Sequence, residues 1–267
     1  MVSIYHIGAQ KCGTTWLYRS MVEHPEVCSP PVDSIHFFDL NYHKGFDWYH
    51  KQFKKIDKCI SFDPTYTYLR NSSCAERIHD YNPRARIMFT ARNPIERAFS
   101  HYWHEKKKDR FNFTFDEVFK NYDLFKNWIE PGFYSHHYKN YVKHFPKDQI
   151  KILFFDDLEE NPLQFIQEVY NFCGIDEGFV PSGINRKVNV ASSFQSRRSR
   201  SMQESLSKFP RISNLLAKVS RKSGSPKEQL SDYSLELKQN LLSVFLEDIG
   251  ELEKISQRDL SSWKIVC

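Results

Sequence analysis

Apolar residues gather in short runs at 4–7, 58–62, 86–91 and 150–155, each bounded by Gly, Pro, Asn or Asp. Runs of that length with no polar alternation are the mark of strands buried on both faces of a parallel sheet. Between them apolar residues recur at helical spacing. The pattern predicts helices over 14–24, 46–53, 73–81, 95–107, 162–173, 210–220 and 234–255. A short helix is expected at 115–119, and Pro131 opens another that reaches Phe145. Residues 35–39 read as a packed strand or turn, and the aromatic stretch up to Trp128 has no clear period. Strands alternating with helices predict an α/β fold: a P-loop-like central parallel sheet with helices on both faces and a helical C-terminal part. No repeat, low-complexity tract or linker interrupts it, so residues 1–267 read as one domain.

Two strand ends carry the chemistry. After the first run comes Gly8-Ala9-Gln10-Lys11-Cys12-Gly13-Thr14-Thr15-Trp16. A helix that starts at Thr14 directs unpaired N–H groups and the positive end of its dipole at the loop before it. Lys11 adds a mobile charge, and Thr14 and Thr15 add hydroxyls, which together make a phosphate or sulfate cradle. The glycine spacing matches a nucleotide P-loop, but Thr14 stands where that motif has lysine, and the lysine lies inside the loop. The second stretch is Arg92-Asn93-Pro94, followed by a helix bearing Ser100. Pro94 suits a first helical position, and Arg92 and Ser100 could converge on one anion.

Gln10-Lys11-Cys12-Gly13-Thr14-Thr15 resembles the 5′-phosphosulfate loop of sulfotransferases that use 3′-phosphoadenosine 5′-phosphosulfate (PAPS). The stretch from Arg92 to Tyr102 is similar to their 3′-phosphate motif, with Arg92 and Ser100 in the phosphate-holding positions. The likeness extends to the segment 150–174 and to the tail from Arg258 to Trp263, nearly the whole chain. It implies a cofactor site of Gln10, Lys11, Cys12, Gly13, Thr14, Thr15, Trp16, Arg92 and Ser100, with Arg186 and Lys187 in a loop over the 3′-phosphate. It also implies in-line sulfuryl transfer to a hydroxyl or amine of a carbohydrate or small molecule, with Lys11 stabilising the leaving phosphate oxygen and no metal.

The acceptor must lose a proton to a base within hydrogen-bond reach. Carbohydrate sulfotransferases resembling this chain carry Lys-Glu where Asp33 and Ser34 stand, and the glutamate is the usual base. With Ser34 in that slot, His36 becomes the first candidate, because imidazole titrates near neutrality, and Asp33 the second. Trp48, Tyr49, Trp103, Trp128, Phe133, Tyr134, His136 and His137 are candidates to line the acceptor pocket.

Composition sharpens only part of this. The net charge is +5, and residues 186–222 hold ten Lys or Arg against one acid, Glu204. That stretch favours an anionic cofactor or substrate. Six scattered cysteines form no C-x-x-C pair, which speaks against zinc or thioredoxin-like chemistry, and reduced cysteines in a cytoplasmic protein are expected. No signal peptide is expected, and no apolar run reaches bilayer length. A P-loop kinase, an inactive nucleotide- or glycan-binding module and, least favoured, a nucleic-acid binder are the competing readings. Magnesium dependence, binding without turnover, and steep salt dependence would be their respective marks. No nucleic-acid or membrane partner is expected, and nothing in the sequence fixes an oligomeric state.

Overall fold

The computed structural model describes residues 1–53, 59–108, 111, 113–184 and 233–265. The predicted helix over 210–220 and the basic pair Arg186 and Lys187 lie outside them.

The strands are β1 (Ile4–His6), β2 (Val27–Cys28), β3 (Ile60–Asp63), β4 (Arg86–Ala91) and β5 (Ile150–Phe154), all parallel in the order β2-β3-β1-β4-β5. Alternation along each strand builds two cores. Tyr5, Ile87, Phe89 and Phe154 face one side, and Ile4, Met88 and Leu153 face the other. The second side is covered by α1 (Thr14–Glu23) and α8 (Pro162–Cys173), with Trp16 edge-on to Phe165 at 6.0 Å. The first side is covered by α3 (Ser72–Tyr81), α4 (Pro94–Lys106), α6 (Tyr134–Tyr141) and α9 (Leu235–Ser256). Three short helices are also found among the described residues: α2 (Gly45–His50), α5 (Tyr122–Trp128) and α7 (Phe155–Glu160).

Chain order runs to one side of β1 through β2 and β3, and to the other through β4 and β5. The reversal lies beside β1, and the loops after β1 and β4 meet there, at the carboxyl ends where such sheets bind ligands. Local sequence fixes these ends. Pro94 is the first residue of α4, and the Asn93 side chain accepts from the N–H groups of Ile95 and Glu96 at 3.0 and 3.4 Å. The C-terminal part holds the frame from outside. Buried Asp248 of α9 caps α6 by accepting from Ser135 N, Ser135 Oγ and His136 N at 3.1, 2.6 and 3.0 Å.

The two-residue strand β2 was not foreseen. Of the strand or turn expected over residues 35–39, the turn is what forms: residues 37–41 make a turn of π-helix, entered through His36 at φ 54°. One expectation changes. Cys28 and Cys59 form a disulfide with Cα atoms 5.7 Å apart, so the cysteines are not all reduced, while Cys12, Cys74 and Cys173 are free and buried. The bridge joins the end of β2 to the approach to β3, and these strands pair Val27 with Ile60.

Candidate active site

The loop after β1 is held open by two glycines. A Cβ at Gly8 would sit 2.6 Å from the Tyr66 carbonyl oxygen, and one at Gly13, at φ 81°, would sit 2.7 Å from Leu158 Cδ2. Only glycine lets α7 and the turn at Tyr66 press this close. The Cys12 N–H donates to the Ala9 carbonyl at 3.2 Å, which closes the loop on itself. Gly13 caps α1 without a side chain, so the first N–H groups of α1, from Thr14 to Trp16, are open to an anion.

Lys11 is half-buried at φ 72°. Burial, then Lys108 and Arg92, pull its ammonium down to about 8, with Glu105 opposing. Arg92 lies across the loop. Its Nη1 reaches the Lys11 carbonyl at 3.5 Å, Nη2 pairs with Glu96 at 3.0 Å, and its plane covers the Phe155 ring at 4.6 Å. The loops after β1 and β4, which carry the two stretches singled out in the sequence, therefore touch. Ser100 is half-buried on α4. Cys12 and Trp16 are different. The Cys12 thiol is fully buried 3.6 Å from the Tyr134 hydroxyl, and the Trp16 ring is in the core, so neither side chain faces a ligand.

Next to the loop opens a cleft of about 560 Å³ lined by Gln10, Tyr66, Thr67, Arg70, His101, His104, Glu105, Lys108, Phe111, Asn127 and Trp128. Of the eight residues expected at an acceptor pocket, Trp128 alone lines it. Tyr49, Tyr134 and His137 are buried in the fold, and His137 Nε2 bonds the Glu130 carbonyl at 3.0 Å. The residues missed come from the turn after β3, from the C-terminal half of α4 and the chain just beyond it, and from α5. No local pattern announces them, since their proximity depends on the fold. One wall has an internal tie, from Arg70 Nη1 to Asn127 Oδ1 at 2.8 Å. Glu105, the one acidic side chain among the lining residues, pairs with Lys108 at 2.8 Å.

His36 stands behind Thr67. Its Nδ1 lies 3.1 Å from both Asp39 Oδ2 and Thr67 Oγ1, and the Thr67 hydroxyl donates to Asp39 Oδ2 at 2.5 Å. Burial alone would raise the Asp39 carboxyl, but the bonds from His36 and Thr67 outweigh it and hold the group below its ordinary range. An ionised Asp39 requires Nδ1 to carry the proton, which leaves Nε2 as the acceptor. Asp39 and Thr67 were not foreseen. The signal for Asp39 was its i+3 spacing from His36, while Thr67 is remote in sequence. Asp33 is half-buried and close enough to Tyr66 and Tyr18 to raise both phenols, after burial. Ser34 Oγ donates to the Asp33 carbonyl at 2.5 Å. The segment rests on buried Asp63, which accepts from Tyr49, Thr65 and Tyr68 hydroxyls at 2.7, 2.6 and 3.2 Å. Tyr68 in turn accepts from the Phe37 N–H at 2.9 Å, and Thr65 from the Ile35 N–H at 3.0 Å.

Residues 4–261 match the sulfotransferase domain family. The chain belongs to the sulfotransferase family. It is 29% identical over 189 residues to human bifunctional heparan sulfate N-deacetylase/N-sulfotransferase 3, covering 63% of this chain and 22% of that protein. The Xenopus laevis N-deacetylase/N-sulfotransferase 1 is 31% identical over 189 residues, with the same coverage. The chain thus matches about a fifth of the length of these sulfotransferase relatives. In structure it is similar to a sulfotransferase from Alicyclobacillus acidocaldarius, with TM-score 0.74, 23% identity and 99% of both chains covered. That likeness shows the fold. No helix among the described residues is long and apolar enough to cross a membrane. No group of three or more His, Cys, Asp or Glu side chains among them is arranged to hold a metal ion.

Proposed function

We propose that the chain is a PAPS-dependent sulfotransferase acting on a hydroxyl or amine of a carbohydrate or small molecule. The observation that carries this reading is the meeting of Lys11 and Arg92 at the open N-terminus of α1, beside a cleft for a second substrate. The donor set fits a nucleotide with two anionic ends: N–H groups of α1, Lys11, the hydroxyls of Thr14 and Thr15, and Arg92 with Ser100 on α4. Arg186 and Lys187 remain proposed contacts. Bound there, PAPS supplies an activated sulfuryl group. Lys11 would neutralise charge on the phosphate oxygen that leaves, and the α1 N–H groups would hold the phosphosulfate. His36, oriented by Asp39 and Thr67, takes the acceptor proton at Nε2, and Asp33 is the second candidate. The reading assigns no metal.

Arg70 and Lys108 outnumber Glu105 among the charged residues of the cleft, and Trp128, Tyr66 and Phe111 give it flat apolar surfaces. A carbohydrate bearing negative charge suits both features, and the heparan sulfate relatives point the same way. The expected cytoplasmic setting is weakened by the Cys28–Cys59 bridge, which favours an oxidising compartment. An inactive binding module is the second reading, kept by Ser34 in the slot of the family glutamate.

Calorimetry with adenosine 3′,5′-bisphosphate, without metal, tests the proposal against ATP with magnesium. Binding of the bisphosphate alone, followed by sulfate transfer from PAPS to a saccharide panel, is the expected outcome. Preference for magnesium ATP, or no binding of either, overturns it.

A further inference from the structure

Among the described residues Arg97 is one of the largest fully buried side chains, at 0% exposure, on the inner face of α4 between the loop after β1 and the cleft. Its Nη2 donates to the Trp128 carbonyl, and its Nε and Nη1 have no partner. Among the described residues no carboxylate forms an ion pair with it. Its electrostatic neighbours are the Tyr134 hydroxyl, the Cys12 thiol, Arg92 and Arg70. Tyr134 ties this group together. Its hydroxyl donates to the Arg92 carbonyl at 2.9 Å, accepts from the Arg92 N–H at 3.3 Å, and lies 3.6 Å from Cys12 Sγ. Arg97 therefore sits behind both anion motifs at once, with cations for charged neighbours.

Such a group is costly to the empty protein, because a buried ion without a counter-charge loses hydration that one hydrogen bond to a carbonyl does not repay. A chain needing only packing at this point would do better with an apolar residue of similar length. We propose that Arg97 is a positioning residue of the cofactor site, kept without a protein counter-ion so that the nucleotide anions at the loop after β1 and at Arg92 supply the compensating charge. This rests on the PAPS reading above. Arg97 acts through the field it adds to the site and through the Trp128 carbonyl it holds, which fixes a wall of the acceptor cleft. The same positive field reaches His101, whose imidazole is held well below its usual range by burial, then by Arg97 and Lys11. The cofactor site and the cleft thus share one buried charge.

The test compares Arg97→Met, Arg97→Gln and Arg97→Lys with the unaltered chain. Two quantities are measured: the dissociation constant of adenosine 3′,5′-bisphosphate by calorimetry, and the melting temperature with and without it. The neutral variants should bind the nucleotide at least about tenfold more weakly, as expected for losing one close charge. Without ligand they should melt no lower than the unaltered chain, and their ligand-induced shift should shrink. Arg97→Lys should recover most of the affinity. Neutral variants that bind within about twofold of the unaltered chain, a difference too small for a lost charge interaction, overturn the proposal. So do neutral variants that fail to fold, because removing an uncompensated charge should relieve the empty protein. If the unaltered chain itself does not bind the bisphosphate, the PAPS reading fails instead.

Discussion

At the scale of single residues, the site depends on charges that the fold holds away from their solution behaviour. Lys11 is the clearest case. Its ammonium is pulled down to about 8, so in the empty enzyme it loses its proton above that pH. Capture of an anionic donor needs the charged form. Hence kcat/KM for PAPS should fall about tenfold per unit above pH 8, while kcat at saturation holds to higher pH because the bound anion raises the lysine again. Lys11→Arg should flatten the kcat/KM profile, and a flat profile to pH 10 in the unaltered chain would refute the role. His36 offers a second test. His36→Ala should lower kcat by about 10²- to 10⁴-fold, the usual range for a lost general base, and leave nucleotide affinity within about twofold. Asp39→Asn should lower kcat too, since an amide no longer fixes the proton on Nδ1. Unchanged turnover in His36→Ala would move the base elsewhere.

At the scale of elements, the bridge between Cys28 and Cys59 pins both ends of the excursion that carries Asp33, His36 and Asp39. Cross-linking a loop of this size stabilises the fold by about 3–4 kcal/mol in the chain-entropy account. Reduction with dithiothreitol, or Cys28→Ser, should lower the urea midpoint and depress turnover more than nucleotide binding, since the cradle lies outside the bridged loop. Equal loss of both would show that the bridge steadies the whole sheet instead. The elements also show where sequence reading works. The strands at 86–91 and 150–155 were legible because both faces are buried, and α8 because Asn161, Pro162 and Gly174 mark its ends. Residues 35–41 were not legible, because they owe their conformation to distant partners, Tyr68 and the network on Asp63. The same reason hid most of the cleft. The cradle was readable from adjacent residues, while Tyr66, Arg70, His101 and His104 come together only once β3 and α4 are in place.

At the scale of the whole molecule, stability should fall in acid. Burial lowers His6 to about 3, and burial lowers His137 to about 4 despite its bond to the Glu130 carbonyl. Both folded values lie below the unfolded one, so the unfolded chain binds more protons as the pH drops below about 6.5, and each neutral imidazole then costs stability. At pH 5 the loss is about 2 kcal/mol per imidazole. Asp63, raised by burial, works in the opposite direction and offsets part of it. Urea midpoints at pH 7, 6 and 5 should decline in that order, and His6→Gln should reduce the slope. A midpoint that rises toward pH 5 would show that the carboxylates dominate.

The segment from Arg258 to Lys264 has a consequence for the order in which the protein folds. Arg258 pairs with Asp157 at 2.6 Å, Trp263 Nε1 donates to Asp156 at 3.0 Å, and Lys264 pairs with Glu253 at 2.5 Å. Asp156 and Asp157 belong to α7, whose Leu158 packs against Gly13. The loop after β1 is thus braced, through α7, by residues far from it in sequence. It gains that support only once contacts of long sequence separation have closed, a slow class of folding event, so a refolding chain shapes this loop late.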